Sequence, residues 1–390
     1  MKKKILYFHH SIGLGGAPRS LAFLIDALNK DIFEPLVVMP KRDGNDEVKN
    51  LFLDAGAQVI EETHIRPFNG VNGCRCDSLK ARIHAALAAL PTTLATRRLV
   101  RRLKPDLVHI NTSVLPFAAL GAKLSWMGAP IVVHVRESAL KNRWGRLLSF
   151  FNRQFTDWFV GIDQSGLDRI GDLSDRSTVI HNSVDTSDIN FCQSSVNKLR
   201  QSFNCKDDSV LFVSACRISR SNGSLEFAKF ISEHKLKIPT NVRFVFCGFH
   251  ENSDNEYVNA TRKAIAEDDS VFAMNFTKEI GDLIHASDVV MAPFTSAHSA
   301  RVVIEGASLG KPALVTDFSN LREQISVDET GFVFRFDQPE TLIAAINQFA
   351  NRQKTKEMGD AACQFAEQNF SLNKNVTRME DFYMKIFAQI

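Results

Sequence analysis

Short apolar runs rich in β-branched residues alternate with longer amphipathic stretches along this chain, and that alternation constrains the fold more than any other feature. It is the pattern of repeated β-α-β units wound around a parallel sheet. In the first half, strands are expected at residues 5–8, 36–39, 107–110, 131–135, 158–162 and 178–181, with helices at 18–28, 79–103 and 115–126. A polar, turn-rich stretch from Asn182 to about Asp208 interrupts the pattern, which restarts with strands at 210–215, 242–247, 289–291 and 313–316. The expected fold class is α/β, with two doubly wound parallel-sheet (Rossmann-like) domains and a linker in the polar stretch. A length of 390 residues fits two cores better than one or three. No period of 20–50 residues repeats, which removes solenoids and propellers.

Hydrophobic residues at 44% and charged residues at 23% exclude disordered, collagen-like and disulfide-scaffold classes. No apolar run approaches the about 20 residues that span a bilayer, so no transmembrane helix is expected. The first apolar run follows three lysines but breaks at His9-His10 with no small-residue cleavage site after it, and no signal peptide is expected. The seven cysteines are an odd, scattered set in which only Cys74 and Cys76 are close, a usage that suits reduced thiols in a cytoplasm. Charge is uneven. Residues 78–156 carry 13 basic side chains and only two acidic ones, Asp106 and Glu137, which points to an anionic partner.

Two segments carry candidate chemistry. The first strand runs into Gly13-Leu14-Gly15-Gly16-Ala17-Pro18-Arg19, a glycine turn opening a helix. It reads equally as a bare strand-to-helix turn or as a loop through which backbone approaches a phosphate or sugar. As a dinucleotide fingerprint it fails, because the third glycine would fall at Pro18, and a dehydrogenase is disfavoured. The second segment spans 292–317. A strand ends at Pro293, a small polar loop follows, and a helix from about Ala300 to Leu309 stops at Gly310. Arg301 and Glu305, four apart, share a helix face. They read either as a surface salt bridge or as a ligand pair, with a diphosphate at the helix N-terminus and Glu305 accepting from ribose hydroxyls.

The 292–317 segment resembles the donor-binding motif of retaining glycosyltransferases of the GT-B fold, family four. Along the chain Asp106-Leu-Val-His109, Ile131-Val-Val-His-Val-Arg-Glu137, Val179-Ile-His-Asn-Ser-Val-Asp185, Ser214-Ala-Cys-Arg-Ile-Ser-Arg-Ser-Asn-Gly223, Phe276-Thr-Lys-Glu-Ile280, Leu321-Arg-Glu323 and Thr330-Gly-Phe-Val-Phe334 resemble other pieces of that family in order. The resemblance implies two facing domains, at 1–190 on the acceptor side and 191–370 on the donor side, with a helix at 371–390 returning to the first. It implies that Arg217 contacts the donor diphosphate, that Glu305 contacts the ribose, that Gly15 and Gly16 approach the donor from the opposite domain, and that His134 lies near the transferred sugar. His134 and His109 also read simply as satisfied strand-end histidines, and Arg136 and Glu137 as a pair with each other.

Two positions depart from the family pattern. The first motif glutamate is Ala297, and the phosphate-binding lysine is Asn222. Arg220, His298 and Arg301 stand where each could reach a phosphate or sugar hydroxyl instead, and Ser299 and Ala300 complete the expected donor loop. The expected activity is retaining, metal-independent transfer of a hexosyl unit from a nucleoside-diphosphate sugar to a saccharide or lipid-linked acceptor in bacterial surface polysaccharide synthesis. The alternative is a non-catalytic nucleotide-sugar-binding partner on the same fold. No cofactor, no metal site and no nucleic-acid partner are expected: no Asp-x-Asp motif, clustered His/Cys spacing or nucleic-acid module occurs.

The basic stretch bears on the acceptor. Lys141, Arg143 and Arg146 accompany Trp144, Leu147, Leu148 and Phe151 at helical spacing, and Arg101 and Arg102 add a second cluster. One reading is attachment to an anionic membrane, which would place a cytoplasmic protein peripherally on the inner face of the cytoplasmic membrane. The other is that the apolar face packs on the sheet and the cations are solvated.

Overall fold

The structure is a computed structural model that describes residues 2–10, 13–68, 70–71, 79–250 and 255–389. It divides into two compact units, Met1–Ser183 together with Leu372–Ile390, and Val184–Ser371. In the first, strands β1 (Lys3–Phe8), β2 (Phe33–Pro40), β3 (Gln58–Glu62), β4 (Leu107–Ile110), β5 (Ile131–Val135), β6 (Trp158–Gly161) and β7 (Ser177–Val179) alternate with helices α1 (Gly16–Ala27), α2 (Asp46–Asp54), α3 (Leu79–Leu103), α4 (Pro116–Lys123), α5 (Arg143–Phe155) and α6 (Gln164–Ile170). Among the described residues these strands form one parallel sheet in the order β3-β2-β1-β4-β5-β6-β7. Parallel neighbours need crossovers, and right-handed crossovers change sheet face where the strand order reverses, here between β1 and β4. One face is therefore covered by α1 and α2, through Leu21, Ile25, Val48 and Phe52. The other is covered by α3, α4 and α6, through Leu99, Ala118, Ala119 and Ile170.

The second unit contains α7 (Gln193–Ser202), β8 (Val210–Ala215), α8 (Ser224–Glu233), β9 (Val242–Phe249), α9 (Glu256–Ala266), β10 (Val271–Asn275), α10 (Ile280–Ala286), β11 (Val289–Ala292), α11 (Arg301–Ser308), β12 (Ala313–Thr316), α12 (Ser319–Arg322), β13 (Gly331–Phe334), α13 (Pro339–Phe349) and α14 (Arg352–Asn369). Its parallel sheet runs β10-β9-β8-β11-β12-β13 among the described residues and reverses between β8 and β11. Helix α15 (Leu372–Phe387) belongs to the first unit. There Val376, Met379, Phe382, Tyr383 and Ile386 join the core beneath α1 and β1.

The polar stretch after Asn182 is more than a linker. It holds α7, whose narrow apolar stripe of Val196 and Leu199, continued by Phe203, packs under β8 and β9. Cys74 and Cys76 lie outside the described residues, and Cys192, Cys205, Cys216, Cys247 and Cys363 are free thiols. No described helix is long and apolar enough to cross a membrane.

Candidate functional site

In open α/β sheets ligands bind outside the carboxyl ends of the strands where the strand order reverses. In the Val184–Ser371 unit that point lies between β8 and β11, and the loops leaving those two strands are tied together. The chain leaves β8 through Arg217, whose guanidinium is exposed and has no carboxylate partner among the described residues. It then makes a short turn over Arg220–Asn222 and enters α8 at Gly223. Gly223 has φ +67, and a Cβ there would stand 1.8 Å from the Pro293 carbonyl oxygen, so only glycine permits this approach of the two loops. Thr295 N donates to Ser221 O at 3.0 Å, and the Thr295 hydroxyl donates to Arg220 O.

Asn222 fills the space between the loops. Its Nδ2 donates to the Arg217 carbonyl at 2.6 Å, and its Oδ1 meets His298 Nε2 at 2.8 Å. The His298 ring is stacked on Phe294 at 4.0 Å, and its Nδ1 lies 2.9 Å from Ser296 O. Past Ser299, Gln324 fixes the start of α11, its amide accepting from Ala300 N at 2.9 Å and donating to Ala300 O at 3.2 Å. The helix then seats its small face on β11, where a Cβ on Gly306 would meet Val290 at 2.6 Å. Arg301 Nε donates to Glu305 Oε1 at 2.6 Å, so the salt bridge expected from their spacing forms. Arg220 lies over the Tyr257 ring at 5.5 Å, and that phenol donates to Glu226 at 2.7 Å.

In the other unit the reversal falls between β1 and β4. Gly15 caps α1 with extended backbone, and added Cβ atoms on Gly15 and Gly16 would meet nothing within 4 Å, so packing among the described residues does not explain these glycines. His134 is the penultimate residue of β5 and is 4% exposed. Its Nδ1 lies 3.4 Å from Arg136, while its Nε2 has no partner among the described residues. Arg136 does not rely on Glu137. Its Nε donates to Asn111 Oδ1 at 2.7 Å and its Nη1 to Asn182 Oδ1 at 2.8 Å. Glu137 instead accepts from the Thr112 hydroxyl at 2.9 Å and from the Ser113 hydroxyl at 3.3 Å. Beside His134, at 5.4 Å between ring centres, His109 shares a 2.6 Å hydrogen bond with the Tyr383 hydroxyl, which lies 3.2 Å from that of Tyr7.

Burial, reinforced by the Arg136 charge, holds His134 well below the usual imidazole range and His109 at about 3. Both rings are neutral at physiological pH, so His134 can orient a hydroxyl but carries no proton to give as an imidazolium. Arg136 and Tyr383 are the residues that sequence reasoning undervalued here. The signal for Arg136 was a guanidinium two positions beyond a buried strand histidine; nothing local marked Tyr383, which arrives from α15.

On the cationic stretch, Trp144 is half-buried and stacks on Phe68 at 4.4 Å, Leu148 is buried, and Phe151 packs edge-on to the same Phe68, while Leu147 on the same helix is exposed. Beneath α5 lies an apolar nest of Phe68, Val71 and Val114, against which Trp144, Leu148 and Phe151 pack. Arg101, Arg102, Lys141, Arg143 and Arg146 remain exposed. An apolar stripe that sequence reasoning missed lies on α3, where Ile83, Leu87, Leu90 and Leu94 recur on one helix face with Leu87 69% and Leu90 66% exposed.

Comparison with known proteins gives the same architecture. Residues 14–188 match the model described as Glycosyltransferase Family 4, and residues 195–364 match Glycosyl transferases group 1. The chain is 23% identical over 218 residues to the O-antigen biosynthesis glycosyltransferase WclY of Escherichia coli, covering 56% of this chain and 58% of that protein. It is 24% identical over 197 residues to a trehalose synthase of Pyrococcus horikoshii, covering 48% of this chain and 47% of that one. The chain thus spans about half the length of the curated relatives it matches. Among solved structures, Anabaena HepE in complex with UDP superposes with a TM-score of 0.78 at 20% identity over 98% of this chain and 100% of that one. Sucrose-phosphate synthase from Thermosynechococcus elongatus superposes with a TM-score of 0.76 at 13% identity over 100% of both. Two reversing parallel sheets, tied loops at the β8/β11 reversal and matches along nearly the whole chain lead to one conclusion: the chain is built of a Glycosyltransferase Family 4 domain followed by a Glycosyl transferases group 1 domain on the GT-B fold.

Proposed function

We propose that this protein transfers a hexosyl unit from a nucleoside-diphosphate sugar to a saccharide or lipid-linked hydroxyl, with retention, in the synthesis of a bacterial surface polysaccharide. The observation that carries the reading is the stitched pair of loops at the β8/β11 reversal, in which Asn222 ties the backbone of the exposed Arg217 to His298 on the loop that leads into α11. That arrangement suits a diphosphate. The similar HepE structure contains UDP, and WclY acts in O-antigen biosynthesis, which makes UDP-sugars and surface glycans the first classes to test.

In the transfer, the bond from the anomeric carbon to the leaving phosphate oxygen breaks while the acceptor oxygen bonds that carbon on the same face. The acceptor proton passes to the departing phosphate. Arg217 and the α11 amide groups neutralise the charge that develops on the leaving group, a scheme with no metal in it. Glu305, already oriented by Arg301, accepts from the ribose hydroxyls, and within its own unit His134 offers a saccharide hydroxyl an Nε2 that has no partner among the described residues.

A thermal-shift screen with UDP, GDP, ADP and their sugars tests the donor reading, because a ligand bound by the native state alone raises the melting temperature. One nucleotide series is expected to do so, and Glu305→Ala is expected to weaken it about tenfold through loss of a charge-assisted contact. An unchanged shift in Glu305→Ala would remove the ribose role. Ala297 and Asn222 favour the second reading, a partner that binds the donor without turning it over; donor binding with neither transfer nor donor hydrolysis across an acceptor panel would select it.

We assign the α3–α5 face to an anionic membrane surface. It pairs the exposed Leu87 and Leu90 with Arg101, Arg102, Lys141, Arg143 and Arg146, and each such cation contributes about 1 kcal/mol near anionic lipid. The protein is expected to float with vesicles containing phosphatidylglycerol, less so at high salt, and not with neutral vesicles. Leu87→Glu with Leu90→Glu is expected to abolish flotation, and binding indifferent to lipid charge would end the assignment.

A further inference from the structure

We propose that His298 binds the donor as an imidazolium and supplies, through its contact with Asn222, the positive charge that the resembled family takes from a lysine at position 222. The inference rests on the nucleoside-diphosphate reading above and deepens it. Asn222 Nδ2 is committed to the Arg217 carbonyl at 2.6 Å, so Oδ1 is the atom that meets His298 Nε2 at 2.8 Å. Turning the amide over would press Oδ1 against a carbonyl oxygen, acceptor against acceptor. The other ring nitrogen, Nδ1, lies 2.9 Å from Ser296 O, which also only accepts. A neutral imidazole has one N–H and can satisfy one of these oxygens; an imidazolium satisfies both.

Burial opposes that charge and pushes the ring below its ordinary range, while the Ser296 carbonyl pushes it up. Charged groups on the surrounding elements act in the same balance. The cations on these elements are Arg217 and Arg220 on the β8 loop and Arg301 on α11. The carboxylates are engaged elsewhere, Glu305 with Arg301 at 2.6 Å and Glu226 with Tyr257 at 2.7 Å. The hydrogen-bond geometry calls for a proton that the ligand-free surroundings resist. A diphosphate brings several negative charges and reverses the balance, so donor binding takes one proton from solvent onto His298. Family members with lysine at this position need no such uptake.

Titration calorimetry of UDP, GDP and ADP into the intact protein, at about pH 7.5 and about pH 8.5 in Tris and in HEPES, counts the protons exchanged on binding. For the nucleotide that binds, uptake approaching one proton is expected. Because the bound form carries the proton and the free form does not, affinity is expected to fall as pH rises, by up to about tenfold per unit. His298→Gln, which keeps a side-chain N–H donor, is expected to bind about tenfold more weakly with no proton uptake and no pH slope, and Asn222→Lys added to it should recover the lost affinity. Nucleotide binding without proton uptake in the wild-type protein, or undiminished uptake in His298→Gln, overturns the inference while leaving the donor site standing. Failure of all three nucleotides to bind overturns the donor reading and this inference together.

Discussion

Arg217→Ala is expected to lower kcat/KM for sugar transfer by roughly 100- to 1000-fold, the range found when a donor aimed at a developing oxyanion is removed. The guanidinium is exposed at the end of β8 and has no carboxylate among the described residues to neutralise it, so its charge is available to an incoming phosphate. Asparagine at position 222 adds no charge to the turn that follows, and the cation there, Arg220, lies over the Tyr257 ring at 5.5 Å. Removing an exposed side chain changes stability by only about 0.5 kcal/mol, so the melting temperature should hardly move. Product formation measured beside thermal melting separates the two effects. Activity within a few-fold of wild type would show that Arg217 does not meet the leaving group.

A comparably large loss is expected from Gly223→Ala, by a different route. With φ +67 an L-residue pays roughly 1–2 kcal/mol for the left-handed backbone alone, and the new Cβ would sit 1.8 Å from the Pro293 carbonyl oxygen, where rigid backbone stands on both sides. The turn has to open. Opening it separates Asn222 from His298 and breaks the bond from Thr295 N to Ser221 O, so the β8 and β11 loops lose their register. A destabilisation of about 3 kcal/mol or more in denaturant melts is expected, with loss of nucleotide binding. Gly15→Ala is the control. Its backbone is extended and its added Cβ would meet nothing within 4 Å, so its stability cost should stay at or below about 1 kcal/mol, the loss of a better N-cap residue. Equal stability losses in the two variants would refute the close-approach argument.

These two residues and His298 together explain how the site accommodates its departures from the family pattern. Asn222 bonds the backbone of the β8 loop and a ring of the β11 loop, and so acts as a structural tie where a lysine would be a point charge. The 292–300 loop itself carries no carboxylate in place of the one missing at Ala297.

The parts of the fold that were legible from sequence are the parts buried on both faces. Strands β1 and β8 are covered by helices above and below, so they read as unbroken apolar runs such as Ile5 to Phe8, all fully buried. Edge strands β3 and β10 were not recognised, because each has one neighbour and half its side chains in solvent. Gln58-Val-Ile-Glu-Glu62 and Val271-Phe-Ala-Met-Asn275 therefore mix polar with apolar residues. Helix α7 escaped for a related reason, since a narrow stripe on a polar helix resembles a loop in composition.

For the site, the sequence by itself determined the elements and the order in which they present Arg217, Gly223, His298 and Glu305, because glycine, proline and helix-start chemistry are local. Only the tertiary structure decided which of these residues touch. Asn222 meets His298 from 76 positions away and Tyr383 meets His109 from 274, separations at which no local pattern carries information. It also decided the exposure of the apolar helix faces: Leu148 is buried and Trp144 half-covered by Phe68, whereas Leu87 and Leu90 stay in solvent. Periodicity states that a helix has an apolar side, and only packing states what covers it.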